Sequence, residues 1–269
     1  MGTLLPRIPA PLRPPRPELG GDSVNAPVLG ILGGVGPLAT AYFMELVIKQ
    51  TPATCDQDNI PMIVFNDPQI PDRTSFILDR EGNPDPLPEM LRVVHWLEDA
   101  GADYIAIPCN TAHYFYDALA REATVPVLNI MRETAAHVAG MTGGSGRVGL
   151  LATDGTISSG VFQRYLEERG LTAVTPSTAE QSEVVMPLIY ERVKRNLPYD
   201  ARPFFDVARR LHEEEGCDAV IVGCTELSVV YQDLREPPSY LVDAMDVLAR
   251  RCVSHYLEQR DDRQRQNAL

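Results

Sequence analysis

Two stretches of the chain are near copies of each other. Gly101-Ala-Asp-Tyr-Ile-Ala-Ile-Pro-Cys109 aligns with Gly216-Cys-Asp-Ala-Val-Ile-Val-Gly-Cys224 at the Gly, the Asp, two aliphatic positions and the closing Cys. Earlier in each half, Gly30-Ile-Leu stands before Gly36 at the spacing that separates Gly149-Leu-Leu from Gly155. Such a repeat predicts two related units. Around it, short apolar runs of strand length alternate with longer helical stretches, the pattern of βαβ units and a parallel sheet. The runs at 28–32, 62–65, 104–107, 127–129, 147–151, 172–174, 219–222 and 240–242 read as strands. Those at 40–51, 87–100, 110–123, 159–169, 182–194, 202–215 and 244–259 read as helices.

The expected fold is therefore α/β, with two halves joined at Met141-Thr-Gly-Gly-Ser-Gly146, a flexible connection. The predicted organisation is a Pro-rich disordered tail over 1–26, a first α/β domain over 27–133 plus 240–259, a second over 134–239, and a disordered tail over 260–269. At 269 residues and 44% hydrophobic, the chain can bury two small cores. The Pro-rich start lacks the apolar segment of a secretory signal, and no run approaches the roughly 20 apolar residues of a membrane-spanning helix. A formal charge of -13 argues against nucleic acid or an anionic membrane as partner. Five cysteines, an odd number, do not suggest a disulfide framework, so the expected location is a reducing cytoplasm.

Ligands of open α/β sheets sit beyond the carboxyl ends of the strands, where each repeated Cys falls. If the halves face each other, Cys109 and Cys224 converge on one cleft. Pro108-Cys-Asn-Thr-Ala-His113 and Gly223-Cys-Thr-Glu-Leu227 are both strand-to-helix turns, whose free N–H groups favour an anion. The thiol pKa is expected to fall there from about 8.5 toward neutrality. A facing thiolate and thiol suit removal of a proton from one side of a carbon and delivery of another to the opposite side, which inverts the centre without a cofactor. His113, four residues after Cys109, leaves open a Cys-His dyad or a metal pair, against the simpler reading of a polar residue on the first turn. No compact ligand quartet accompanies it, so no metal is expected. Gly34-x-Gly36-x-x-Ala39 after a strand resembles a dinucleotide fingerprint, but the acid that motif needs, Asp67, comes too late.

Together, Gly33-Gly-Val-Gly-Pro-Leu-Ala-Thr40, the two Cys motifs and Leu150-Leu-Ala-Thr-Asp-Gly-Thr156 resemble the aspartate/glutamate racemase family, in particular its aspartate racemase branch. The likeness runs from about Val28 to Tyr256. It implies two pseudosymmetric flavodoxin-like domains, a homodimer, no pyridoxal phosphate and no metal. It also implies catalysis by Cys109 and Cys224 on an acidic amino acid, aspartate or glutamate. By the same resemblance, Arg73 of Asp72-Arg-Thr74 and Lys194 of Ile189-Tyr-Glu-Arg-Val-Lys194 bind the substrate's carboxylates. Asn110, Thr111, Thr225, Glu226, Gly36 and Thr153 complete the expected substrate site. Related enzymes that decarboxylate or isomerise small diacids, and a silent binding protein for an acidic amino acid, are the rival classes. Retention of both cysteines favours racemisation, because a decarboxylase needs one proton donor.

Overall fold

The computed structural model describes residues 26–267, so the expected tail over 1–26 lies almost wholly outside the described residues. The first half runs β1 (Leu29–Gly33), α1 (Pro37–Gln50), β2 (Met62–Asn66), α2 (Arg73–Leu78), α3 (Leu87–Asp99), β3 (Tyr104–Ala106), a 3-10 turn (Thr111–Phe115), α4 (Tyr116–Glu122), β4 (Val127–Leu128) and α5 (Ile130–Thr142). The second runs β5 (Gly146–Leu151), α6 (Asp154–Ser159), α7 (Val161–Glu167), β6 (Leu171–Val174), α8 (Thr178–Glu180), α9 (Arg202–Glu213), β7 (Ala219–Val222), α10 (Thr225–Tyr231), β8 (Leu241–Asp243) and α11 (Ala244–Asn267). The strands form two all-parallel four-stranded sheets, ordered β2-β1-β3-β4 and β6-β5-β7-β8. The same order in both halves is the repeat made visible.

All eight strands fall where the apolar runs placed them, to within a residue or so. The helices differ more. Gly160, in the left-handed region at φ 68°, divides the stretch read as one helix over 159–169 into α6 and α7. The stretch at 182–194 follows α8 as two π-helical turns, Gln181–Val185 and Leu188–Arg192, and a 3-10 turn at Val193–Arg195. α5 was not anticipated, although Asn129 caps it by accepting from Arg132 N and Gly143 ends it in the left-handed conformation.

Residues 240–259 divide between the halves rather than all returning to the first. β8 pairs with β7 in the second sheet, whereas α11 packs on α1 and α5. Nor does the helix stop at 259. It continues to Asn267, tied down by an Arg263 to Asp103 ion pair at 2.6 Å. One apolar core runs between the sheets, joining Leu29, Phe43 and Tyr104 to Leu150, Phe162 and Leu248, and an outer core lies on the far side of each sheet. Each such side chain stabilises by about 1.5–3 kcal/mol when fully buried, so the shared core holds the carboxyl ends of the two sheets against each other.

Candidate active site

The cysteine turns meet at this junction. Cys109 follows β3, its N–H turned back on Ile107 O at 2.7 Å, and Cys224 is the extended residue before α10. Both thiols are buried, at 6% and 4% exposure, and line one enclosed space with Val35, Arg73, Asn110, Thr111, Thr153, Lys194, Thr225 and Glu226. Asp72, Thr74 and Tyr190, which the sequence reading did not single out, line it too. The signal was present for Asp72 and Tyr190, because each stands inside a stretch quoted for its cation alone.

Gly36 is not part of the lining but stands behind it. At φ 150°, its absent Cβ would lie 2.6 Å from Glu226 Oε1, so a side chain here would push on that carboxylate. Gly34, at φ 86°, lets the turn after β1 pass against the backbone of Asp67, which is itself paired with Arg92 at 2.5 Å.

Arg73 begins α2 behind Asp72, whose carboxylate caps the helix at Ser75 N, 2.8 Å. The guanidinium donates through Nη1 to Ile70 O and Pro71 O, at 3.1 and 2.9 Å. Its Nε has no hydrogen-bond partner among the described residues; neither do Asn110 Nδ2 and Oδ1, Thr225 Oγ1 or Glu226 Oε1. Buried polar atoms are almost always hydrogen-bonded, so five such atoms without a hydrogen bond around one space mark a place suited to a polar ligand. Thr111 and Thr153 differ, because their hydroxyls bond each other at 3.0 Å and Thr156 as well.

Lys194 reaches across from the second half. Its ammonium lies 3.3 Å from Asp72 Oδ2, 3.9 Å from Glu226 Oε1 and over the Tyr190 ring, while the Tyr190 hydroxyl donates to Asp72 at 3.2 Å. Burial would discharge the ammonium, but Glu226, Tyr190 and Asp72 outweigh it and hold its pKa above the usual value. Both thiols depart from the sequence expectation. Burial pushes the Cys109 pKa up, with Arg73 opposing; it pushes Cys224 well above the usual range, with Glu226 adding to the effect. The turn N–H groups do favour the thiolates, Ala112 N at Cys109 and Glu226 N at Cys224, but burial outweighs them.

His113 does not approach the thiol; its Nδ1 is bonded to the carbonyl of Cys109 at 2.8 Å. Among the described residues, no cluster of three or more His, Cys, Asp or Glu is arranged to hold a metal ion, and no helix is long and apolar enough to cross a membrane. All five cysteines are free thiols.

Residues 32–252 match the model of the Asp/Glu/hydantoin racemase family. The chain is 30% identical over 238 residues to the broad specificity amino-acid racemase RacX of Bacillus subtilis (strain 168), spanning 86% of this chain and 98% of the relative. Among solved structures, the aspartate racemase of Picrophilus torridus superposes with a TM-score of 0.69 at 29% identity, covering 86% of this chain and 94% of the other. Glutamate racemase of Francisella tularensis, solved with D-glutamate, shares the fold at a TM-score of 0.58 and 19% identity, over 87% and 82% of the two chains. A doubled sheet order, a thiol at the same strand end in each half and a match over most of the length make this chain a member of the Asp/Glu/hydantoin racemase family.

Proposed function

We propose that the chain racemises an acidic amino acid, aspartate first and glutamate second, by a two-base mechanism that uses Cys109 and Cys224 and no cofactor. The observation that carries this reading is the enclosure of two thiols from matched strand ends together with Arg73 and Lys194. One cysteine, as thiolate, takes the α-proton while the other, as thiol, supplies a proton to the opposite face. Arg73 and the unpaired groups of Asn110 and Thr225 hold the α-carboxylate, onto which charge spreads as the carbanion forms. Lys194 takes the side-chain carboxylate. Glu226 accepts from the Cys224 thiol at 3.1 Å, which suits it to receive and return that thiol's proton. By family resemblance, Cys224 serves the L-enantiomer and Cys109 the D-enantiomer. The protein acts as a homodimer in the cytoplasm, without pyridoxal phosphate or metal.

A second reading has one specific observation behind it. Lys194 already faces two carboxylates, Asp72 and Glu226, so a neutral side chain would disturb less than a third one. The broad specificity named for the Bacillus relative points the same way. Proton NMR in D2O, without added cofactor, on L-aspartate, L-glutamate, L-alanine and L-lysine in turn tests both. Loss of the α-proton signal from the two acids alone supports the first reading, and loss from alanine or lysine supports the second. Retention of all four signals sinks racemisation.

A further inference from the structure

In each half, the residue four places after the cysteine ties that cysteine's turn to the end of the edge strand beside it. His113 Nδ1 donates to Cys109 O at 2.8 Å, and Nε2 lies 3.3 Å from both Leu128 O, at the end of β4, and Ile130 N, just past it. Burial lowers the His113 pKa, against the pull of the Cys109 and Leu128 carbonyls. In the second half, Ser228 N donates to Cys224 O at 3.2 Å, and Ser228 Oγ donates to Asp243 Oδ1 at 2.5 Å, at the end of β8. That oxygen also accepts from Met245 N at 3.1 Å, where α11 begins. The parts correspond: β4 flanks β3 and β8 flanks β7, with Asn129 and Asp243 each passing an edge strand into a helix. Neither His113 nor Ser228 lines the space between the thiols.

Resting on the two-cysteine reading, we propose that His113 and the Ser228–Asp243 pair are matched positioning residues, each fixing one catalytic cysteine by fastening its turn to the neighbouring edge strand. The matched places use different chemistry. The first half uses an imidazole whose pKa burial lowers, whereas Asp243 is a buried carboxyl that Tyr42 from α1, Tyr231 from α10 and Asp246 from α11 face. Its Oδ2 has no hydrogen-bond partner among the described residues.

The test compares His113→Ala, Ser228→Ala and Ser228→Thr by the rate of iodoacetamide alkylation at each cysteine, followed site by site by mass spectrometry, and by steady-state kinetics. Ser228→Ala is expected to change alkylation at Cys224 and leave Cys109 unchanged, and His113→Ala to do the reverse. The Ala variants should lose about tenfold in kcat with KM within about twofold, because a displaced base or acid weakens the chemical step more than binding. Ser228→Thr, which keeps the hydroxyl, should restore both readouts. Should His113→Ala not fold, the Ser228 pair carries the test alone. Equal changes at both thiols, no change at either, or failure of Thr to restore overturns the proposal. Alkylation is read whether or not any amino acid is racemised, so a wild type that racemises nothing overturns the earlier reading without deciding this one.

Discussion

The two halves present their cysteines on the same scaffold and set different groups against them. Cys109 has Arg73 beside it and an imidazole bonded to its carbonyl; Cys224 donates to a carboxylate 3.1 Å away, and its turn is fastened through a second carboxyl. Burial raises both thiol pKa values and Glu226 adds to both; Arg73 opposes the rise at Cys109, whereas at Cys224 the carboxylate is hydrogen-bonded to the thiol itself. A duplicated fold thus supplies symmetrical positions without equivalent acids.

Removing either thiol breaks the comparison most severely. Cys109→Ala and Cys224→Ala should each cut racemisation by about 100- to 10,000-fold, the range for loss of a general acid or base, measured by polarimetry with either enantiomer. A single variant still near the wild-type rate would end the two-base account. The cations come next. Arg73→Ala should cost about 10- to 150-fold in kcat/KM for aspartate, and Lys194→Ala less, because Lys194 keeps 24% exposure and divides its charge between two protein carboxylates. Equal losses would contradict that ranking. If neither variant changes kcat/KM by more than about threefold, the assignment of both residues to carboxylates fails.

Glu226→Gln, which also removes the proposed acceptor of the Cys224 proton, sharpens the contrast through its pH profile. Without the negative charge that raises it, the Cys224 pKa falls, so the rising limb of kcat/KM against pH should move to lower pH. An unmoved limb would mean that the limb belongs to another group. The smallest effect is on stability. Asp243 titrates at about 7 in the folded chain against 3.8 ordinarily, chiefly through burial, so the folded state holds its proton more tightly. The stability this contributes is complete below pH 3.8 and is lost as pH rises through 7. Asp243→Asn has no such ionisation, so its Tm relative to wild type should climb between pH 5 and pH 8. A gap independent of pH would show that Asp243 ionises normally.

The sheet is legible because every strand is an apolar run closed by a turn, and the repeat alone sets both thiols at matched strand ends. What escaped the sequence depends on packing. The thiol pKa direction turned on whether the cleft closes over Cys109 and Cys224, and no local motif encodes that closure. Asp72 and Tyr190 matter through each other, across residues brought together only when the halves meet. The π-helical turns before Lys194 keep the composition of an ordinary helix, so periodicity alone could not separate them. β8 went to the wrong half because its run looks the same in either sheet; only its pairing with β7 decides.

The space between the thiols measures about 10 Å³, room for about one water molecule. A whole amino acid does not fit that volume, so groups around it must shift to admit one, and the Tyr190 and Lys194 contacts to Asp72 bridge the two halves there. On the two-base reading, the proton that one sulfur takes is not the one that the other supplies, and thiols buried this deeply exchange with solvent when the site is open. In heavy water, deuterium should appear in the enantiomer that is formed, one atom for each inversion, while the starting enantiomer still in solution keeps its original hydrogen during the early course of the reaction.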